Sequence, residues 1–246
     1  SSHELNQPGC YKNVKDLSVI AQFKVIKDDK SIFLFKNSTE KVFFLAWTTT
    51  PWTLPSNTAL AVGRKIDYVV VNTFNPYTFK AVTVILAKAL FSKYFPEKNK
   101  DLKMSEYVEG NKSIPFKIIR EIKGSKLEGL CYEQLLTYAK PVNGEAFKVL
   151  IGDFVTTEDG TGIVHLAPSF GADDNLVAKQ NGIGTLTLVD TQGRFVDEVT
   201  DFAGMYVKNE FYPPGEAPEK SVDIQLVIKL KKEDEIFFMK ILNNLP

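Results

Sequence analysis

"FLAWTTTPWTLPSNTALAV", residues 44–62, runs from an apolar segment into three consecutive threonines, meets a proline, and ends in a second apolar segment. Pro51 restricts Thr50 to an extended backbone and brings no donor, so a strand entering from Phe44 has to end or bend there. "TALAVG" then restarts as a strand. On an extended chain Thr48 and Thr50 face one way and Thr49 the other. Hydroxyls and backbone groups left free at such a break are placed to meet a ligand. Trp47 and Trp52 offer apolar walls or a stacking face beside them. The plainer account is an ordinary strand end with threonines favoured by sheet propensity.

Outward from that stretch the chain reads mainly as strands. "LSVIAQFKV" (17–25) alternates, "SIFLFK" (31–36) follows the charged turn "KDDK", and "KVFFLAW" (41–47) follows a turn at "NSTE". "DYVVVNTF" (67–74) is a further short strand. "VTVILAKALFSKYF" (82–95) starts as a strand and is predicted to become an amphipathic helix that Pro96 stops. Residues 97–112 are polar and predicted to be a surface excursion. "IIREIKGSKLEGL" (118–130) is strand-like with a glycine turn. "FKVLIGDFV", the turn "TTEDGTG" and "IVHLAP" (147–168) are predicted to form a hairpin, as is "LTLVDTQGRFV" (186–196). "GADDNLVAKQNG" (171–182) has acids in its first turn and glycine after its last, the pattern of a short helix. "DIQLVIKLKKEDE" (223–235) has helical periodicity and precedes a last short strand. No repeat and no regular βαβ alternation is present. The expected fold is α+β: a strongly curved or barrel-like mixed sheet with a few peripheral helices, one domain over residues 1–246.

Bulk properties exclude several function classes. Hydrophobic residues make up 44% and aromatics 12% of the 246 residues, enough for a substantial core. Thirty basic and thirty acidic residues cancel, which argues against holding long nucleic acid through many phosphates but not against a short single-stranded end. Cys10 and Cys131 form no CxxC pattern, so idle thiols in a reducing compartment are expected rather than zinc or a disulfide. No apolar run approaches the ~20 residues that span a bilayer. The sequons at Asn37 and Asn111 are expected to be chance. The start at "SSHEL" and the end at "KILNNLP" suggest a piece excised from a longer cytoplasmic protein, monomeric by default.

Motifs for nucleotide or nucleophile chemistry are absent. "KMS" at 103–105 lacks the second lysine of a phosphate-binding signature loop, and "DGTG" at 159–162 is too short for a dinucleotide fingerprint. With only His3 and His165 in the chain, a Ser-His or Cys-His mechanism has to use His165. No activated serine accompanies it, so packing or hydrogen bonding is its expected role. A metal hydrolase using His165, Asp173 and Asp174 lacks a second usable histidine. In "GTGIVHLAPSFGADD" (160–174), a glycine turn, a strand and a loop lead to two carboxylates that open a helix. The positive helix end and backbone donors are expected to keep such a carboxylate ionised, as a site for an α-ammonium group requires. N-terminal capping accounts for only one of the pair.

"WTTTPWTLPSN" together with "GTGIVHLAPSFGADD" resembles the editing domain inserted in isoleucyl-tRNA synthetase, a class I aminoacyl-tRNA synthetase. The sister enzymes for valine and leucine typically carry "TTRP" where Thr50 stands here. "YKNVKDLSVIAQFKV", "GSKLEGLCYEQLL" and "DTQGRFVDEVTDFAGMYV" extend the resemblance over nearly the whole chain, least so at 97–112. It implies a hydrolytic sieve for mischarged valyl-tRNA(Ile), with no cofactor of its own, ATP and Mg²⁺ belonging to the parent synthetase. The implied partners are the 3′-terminal aminoacyl-adenosine of tRNA(Ile) and the rest of the synthetase, with no membrane. Asp174 aligns with the carboxylate that binds the α-ammonium, and Asp173 with its neighbour. Thr48, Thr49 and Thr50 align with the threonine wall that contacts the aminoacyl group and ribose and orients water. His165 aligns with the residue that limits side-chain size. Asn57, Trp52 and the backbone around Gly162 align near the same pocket. Direct attack by a positioned water is the expected route. The competing expectation is a module that binds the tRNA 3′ end without hydrolysing it in isolation.

Overall fold

The computed structural model describes residues 15–243. His3 and Cys10 lie outside the described residues, and Cys131 is a free, half-buried thiol. The apolar segment that leads into the threonines is the hub. β2 (Val42–Thr48) pairs antiparallel with β1 (Lys15–Lys24) along one edge. Its other edge is divided: residues 42–44 pair in parallel with β5 (Ala81–Ala87), whereas Trp47 pairs with Val164 of β8 (Ile163–Leu166). The sheet forks between these two partners. Thr161 bridges the fork, its hydroxyl donating to the Leu45 carbonyl at 2.6 Å while its own carbonyl accepts from Ala87 N–H at 2.8 Å.

Among the described residues nine strands complete the sheet. β4 (Asp67–Phe74) and β6 (Lys117–Lys123) extend it antiparallel beyond β5. On the other arm β3 (Ala59–Val62) pairs antiparallel with β8 and in parallel with β7 (Lys148–Ile151). β9 (Ile236–Asn243) closes on β1. This is the curled, mixed half-barrel with few helices expected from the strand-rich pattern.

Alternation along β2 sends successive side chains to opposite faces, and both faces are covered. Phe44 and Ala46 join Val19, Ala21 and Phe23 in the main core, while Phe43 and Leu45 join Val69, Val71 and Val84 on the other side. α3 (Val222–Lys232) lies under the main core. Ser221 caps it by accepting from Ile224 N–H, and it buries Val222, Leu226, Val227 and Leu230.

Four elements differ from expectation. "SIFLFK" is not a strand: Ile32–Phe35 is a 3-10 turn. Asp28 accepts from the amides of Lys30 and Ser31 while Ser31 donates to the Ile26 carbonyl, and these local bonds outcompete a ladder. The helix predicted before Pro96 is one α turn, α1 (Phe91–Tyr94), because β5 keeps the chain extended as far as Ala87. β7 and β8 do not pair with each other, since β3 lies between them. The 186–196 hairpin is reduced to a bridge, Val189 to Phe195, around a turn in which Asp190 accepts from Gln192 and Arg194 amides. α2 (Ala172–Gln180) forms as expected, with Gly182 at φ +65° behind it. No helix of the described residues is long and apolar enough to cross a membrane.

Candidate functional site

β2 ends at Thr48, and the next residues fold back on it. The Thr48 hydroxyl, itself buried, accepts from Thr50 N–H at 3.0 Å, and the two hydroxyls lie 3.4 Å apart. Pro51 then opens a 3-10 turn over Pro51–Ser56, where its fixed φ fits and its missing N–H costs nothing. The turn is pinned from outside by Asp223 of α3, whose carboxylate accepts from Trp52 N–H at 2.7 Å. Thr49 and Thr50 remain exposed at the break.

Opposite them stands the glycine turn that enters β8. Gly160 and Gly162 have φ of +70° and +72°. A Cβ on Gly160 would come 3.0 Å from the Trp47 ring, and one on Gly162 would come 2.4 Å from the Ala87 Cβ. Only glycine lets this turn lie so close to β2 and β5. Two tyrosines hold its carbonyls: Tyr94 donates to Gly160 at 2.7 Å, and Tyr68 donates to Gly162 at 2.6 Å. Burial pushes both phenols up to about 12, with the charge of Asp159 adding to the shift at Tyr94, so both stay protonated donors.

Between the two walls is a cleft of about 340 Å³. Thr48, Thr49, Thr50, Gly162 and His165 all line it, so the structure brings together five of the residues singled out from the sequence. Trp47 forms a wall, its indole N–H donating to Ser18 at 2.6 Å. Glu158 and Asp159, which sequence reasoning did not select, also line the cleft.

The remaining candidates stand elsewhere. Trp52 does not line the cleft; its ring packs edge-on against Phe170 at 5.1 Å. Asn57 is buried and fully engaged, donating to the Ala59 carbonyl at 2.9 Å and accepting from the Tyr132 hydroxyl at 2.7 Å. Asp173 is exposed on the first turn of α2. Asp174 does not line the cleft; it accepts at 2.9 Å from the N–H of Ala167, two residues along the chain from His165. The helix end and backbone donors do not dominate at Asp174: its pKa is raised. Burial is the largest cause, the charge of Asp173 adds to it, and the bonds from Ala167 and its own amide offset only part.

His165 is buried, and burial lowers its pKa from 6.5 to about 4, so the ring is neutral near pH 7. Its Nε2 lies 3.0 Å from the Thr53 hydroxyl, whereas Nδ1 has no partner among the described residues. Thr53 was missed in the sequence because nothing but geometry connects it to His165. Tyr68 and Tyr94 were missed likewise, although a buried tyrosine hydroxyl usually finds a hydrogen-bond partner. Among the described residues no group of three or more His, Cys, Asp or Glu side chains is arranged to hold a metal ion.

No family model matches the chain. It is 54% identical to the isoleucine–tRNA ligase of Cytophaga hutchinsonii, over 96% of this chain and 22% of that one. The isoleucine–tRNA ligase of Bacteroides thetaiotaomicron is 44% identical over all of this chain and 25% of its own length. The chain thus spans about a quarter or less of the curated relatives it matches. Among solved structures, GlLeuRS-CP1 matches 94% of the chain with a TM-score of 0.60 at 17% identity. The editing domain of the P. knowlesi cytosolic leucyl-tRNA synthetase matches 93% with a TM-score of 0.59 at 14% identity, a likeness of fold. Over nearly its whole length the chain is a homologue of one segment of isoleucine–tRNA ligases, and it has the fold of leucyl-tRNA synthetase editing domains.

Proposed function

We propose that the cleft hydrolyses the ester of valyl-tRNA(Ile), the product of mischarging by a parent isoleucine–tRNA ligase. One methylene separates valine from isoleucine, and an apolar pocket discriminates it by only about 1–3 kcal/mol, a limit for which isoleucyl-tRNA synthetase is the standard example. A second site that admits the smaller side chain supplies the missing selectivity. The observation that carries this reading is the shared cleft, lined by the exposed threonines at the end of β2, by the glycine turn and by buried His165.

In this reading the 3′-terminal adenosine enters along the glycine turn, and Thr49 and Thr50 contact the ester and ribose. Water is oriented on the carbonyl by hydroxyl and backbone groups, which also stabilise the developing oxyanion. His165, neutral and held by Thr53, limits side-chain size rather than taking a proton. Asp174 anchors the α-ammonium, and arrival of that cation offsets the burial that raises its pKa.

A deacylation assay on valyl- and isoleucyl-tRNA(Ile) tests these assignments together. The wild-type chain should release valine and spare isoleucine. Asp174→Ala should abolish valine release, and His165→Ala should open the site to isoleucine. Full activity in Asp174→Ala would remove Asp174 from the site. In that event Glu158 and Asp159, which line the cleft directly, become the carboxylates to replace next.

A further inference from the structure

The Thr53 hydroxyl has one hydrogen and two polar neighbours. It lies 2.8 Å from the Thr50 carbonyl oxygen, which only accepts, and 3.0 Å from His165 Nε2. If the hydrogen went to Nε2, two oxygens 2.8 Å apart would face each other with nothing between them. Nδ1 would then carry the ring hydrogen, buried and without an acceptor among the described residues, an arrangement rarer and costlier than an unpaired lone pair. If the hydrogen goes to Thr50, both contacts become hydrogen bonds: Nε2–H donates to Thr53, and Thr53 donates to Thr50. The imidazolium fares worse than either, since it would bury a charge with one N–H unmatched.

We propose that Thr53 is a positioning residue that locks His165 in the Nε2–H tautomer, so that Nδ1 stays a bare lone pair and the ring has no free N–H to give to a ligand in the cleft. His165 then cannot donate to the ester carbonyl or to the oxyanion that forms there, and that role falls to the threonine hydroxyls and backbone amides. The chain of bonds also ties the histidine to the strand break itself. Thr50, whose carbonyl receives the Thr53 hydrogen, carries its own side chain into the cleft. A ligand that moves Thr50 therefore acts on the ring through two hydrogen bonds.

The functional half of this inference rests on the proposed deacylase; the tautomer does not. Only two histidines occur in the chain, so ¹⁵N-labelled imidazoles give two ring systems, and a His3→Gln variant leaves one. Two-bond ¹H–¹⁵N correlation on that variant should show Nε2 protonated and Nδ1 as the bare nitrogen. Thr53→Val should mix the tautomers, and Thr53→Ser should restore the single form. Deacylation of valyl-tRNA(Ile) should fall about tenfold in kcat/KM with Thr53→Val, the loss of one well-placed hydrogen bond, and recover with Thr53→Ser. A ring protonated on Nδ1 in otherwise unaltered protein overturns the proposal without any need for a folded Thr53 variant. A shifted tautomer with undiminished deacylation overturns the positioning role. If the ring is Nε2–H yet no valyl ester is cleaved, the deacylase reading fails and the tautomer assignment stands.

Discussion

His165 carries a measurable signature of burial. Its folded pKa of about 4 lies below the ordinary 6.5, so between those values the unfolded chain binds a proton that the folded chain refuses. The resulting stability is fully present above pH 6.5 and is lost as pH falls through about 4, a loss on the order of 3 kcal/mol. Glu235 works in the other direction. Burial first, then the charges of Asp234 and Glu233, push its carboxyl up to about 7. Its contribution is present below its ordinary value of 4.5 and is lost as pH rises through about 7. The two partly cancel in the wild-type curve, so the difference between variants is the informative quantity. Urea unfolding near pH 7 and near pH 4 should show wild-type protein losing roughly 3 kcal/mol more than His165→Gln. Equal losses would mean that the ring is hydrated in the folded state.

At the scale of elements, the glycine turn is the part of the cleft most sensitive to one atom. Gly162→Ala puts a Cβ 2.4 Å from that of Ala87 at a φ of +72°, which combines left-handed strain with overpacking. The expected cost is about 2–4 kcal/mol in urea unfolding, with loss of deacylation in the fraction that stays folded. A neutral outcome would show that the turn moves freely and does not depend on its contact with β5. Such local features are legible in the amino-acid order: alternation marks the strands around the fork, Pro51 marks the break, and glycines before "IVHL" mark the turn. Strand partners are not. Nothing near residues 147–168 says that β3, from the far side of the threonines, inserts between β7 and β8, because that choice depends on long-range burial. Ile32–Phe35 failed for the opposite reason, with Asp28 and Ser31 overriding an apolar pattern through bonds too local for periodicity to reveal. At the site, the threonines are legible from their run before Pro51, whereas Gly162 and His165 are reached through the resemblance, and all of them line the cleft. Asn57 and Trp52 come from the family resemblance, and in the structure Asn57 bonds Tyr132 and Trp52 packs on Phe170 rather than lining the cleft.

For the molecule as a whole, charge decides how it would meet tRNA in the proposed reaction. Thirty positive and thirty negative residues leave no net field to attract a polyanion. A protein that neutralises six to ten phosphates loses about 10³–10⁵ in affinity between 50 and 200 mM salt, because each contact releases counterions. A chain that grips only the terminal aminoacyl-adenosine, through hydroxyls and backbone amides, has almost no counterions to release. Deacylation of valyl-tRNA(Ile) by this chain should therefore change by less than about tenfold in kcat/KM over that range. The valyl ester of adenosine alone should be cleaved within about tenfold of the whole tRNA, since most phosphate contacts would belong to the remaining three quarters or more of a full-length relative. A steep salt dependence, or a short ester left untouched while tRNA is cleaved, would place an additional phosphate-binding surface on this chain. The place to look would then be the exposed lysines of residues 97–112, which no part of the cleft uses.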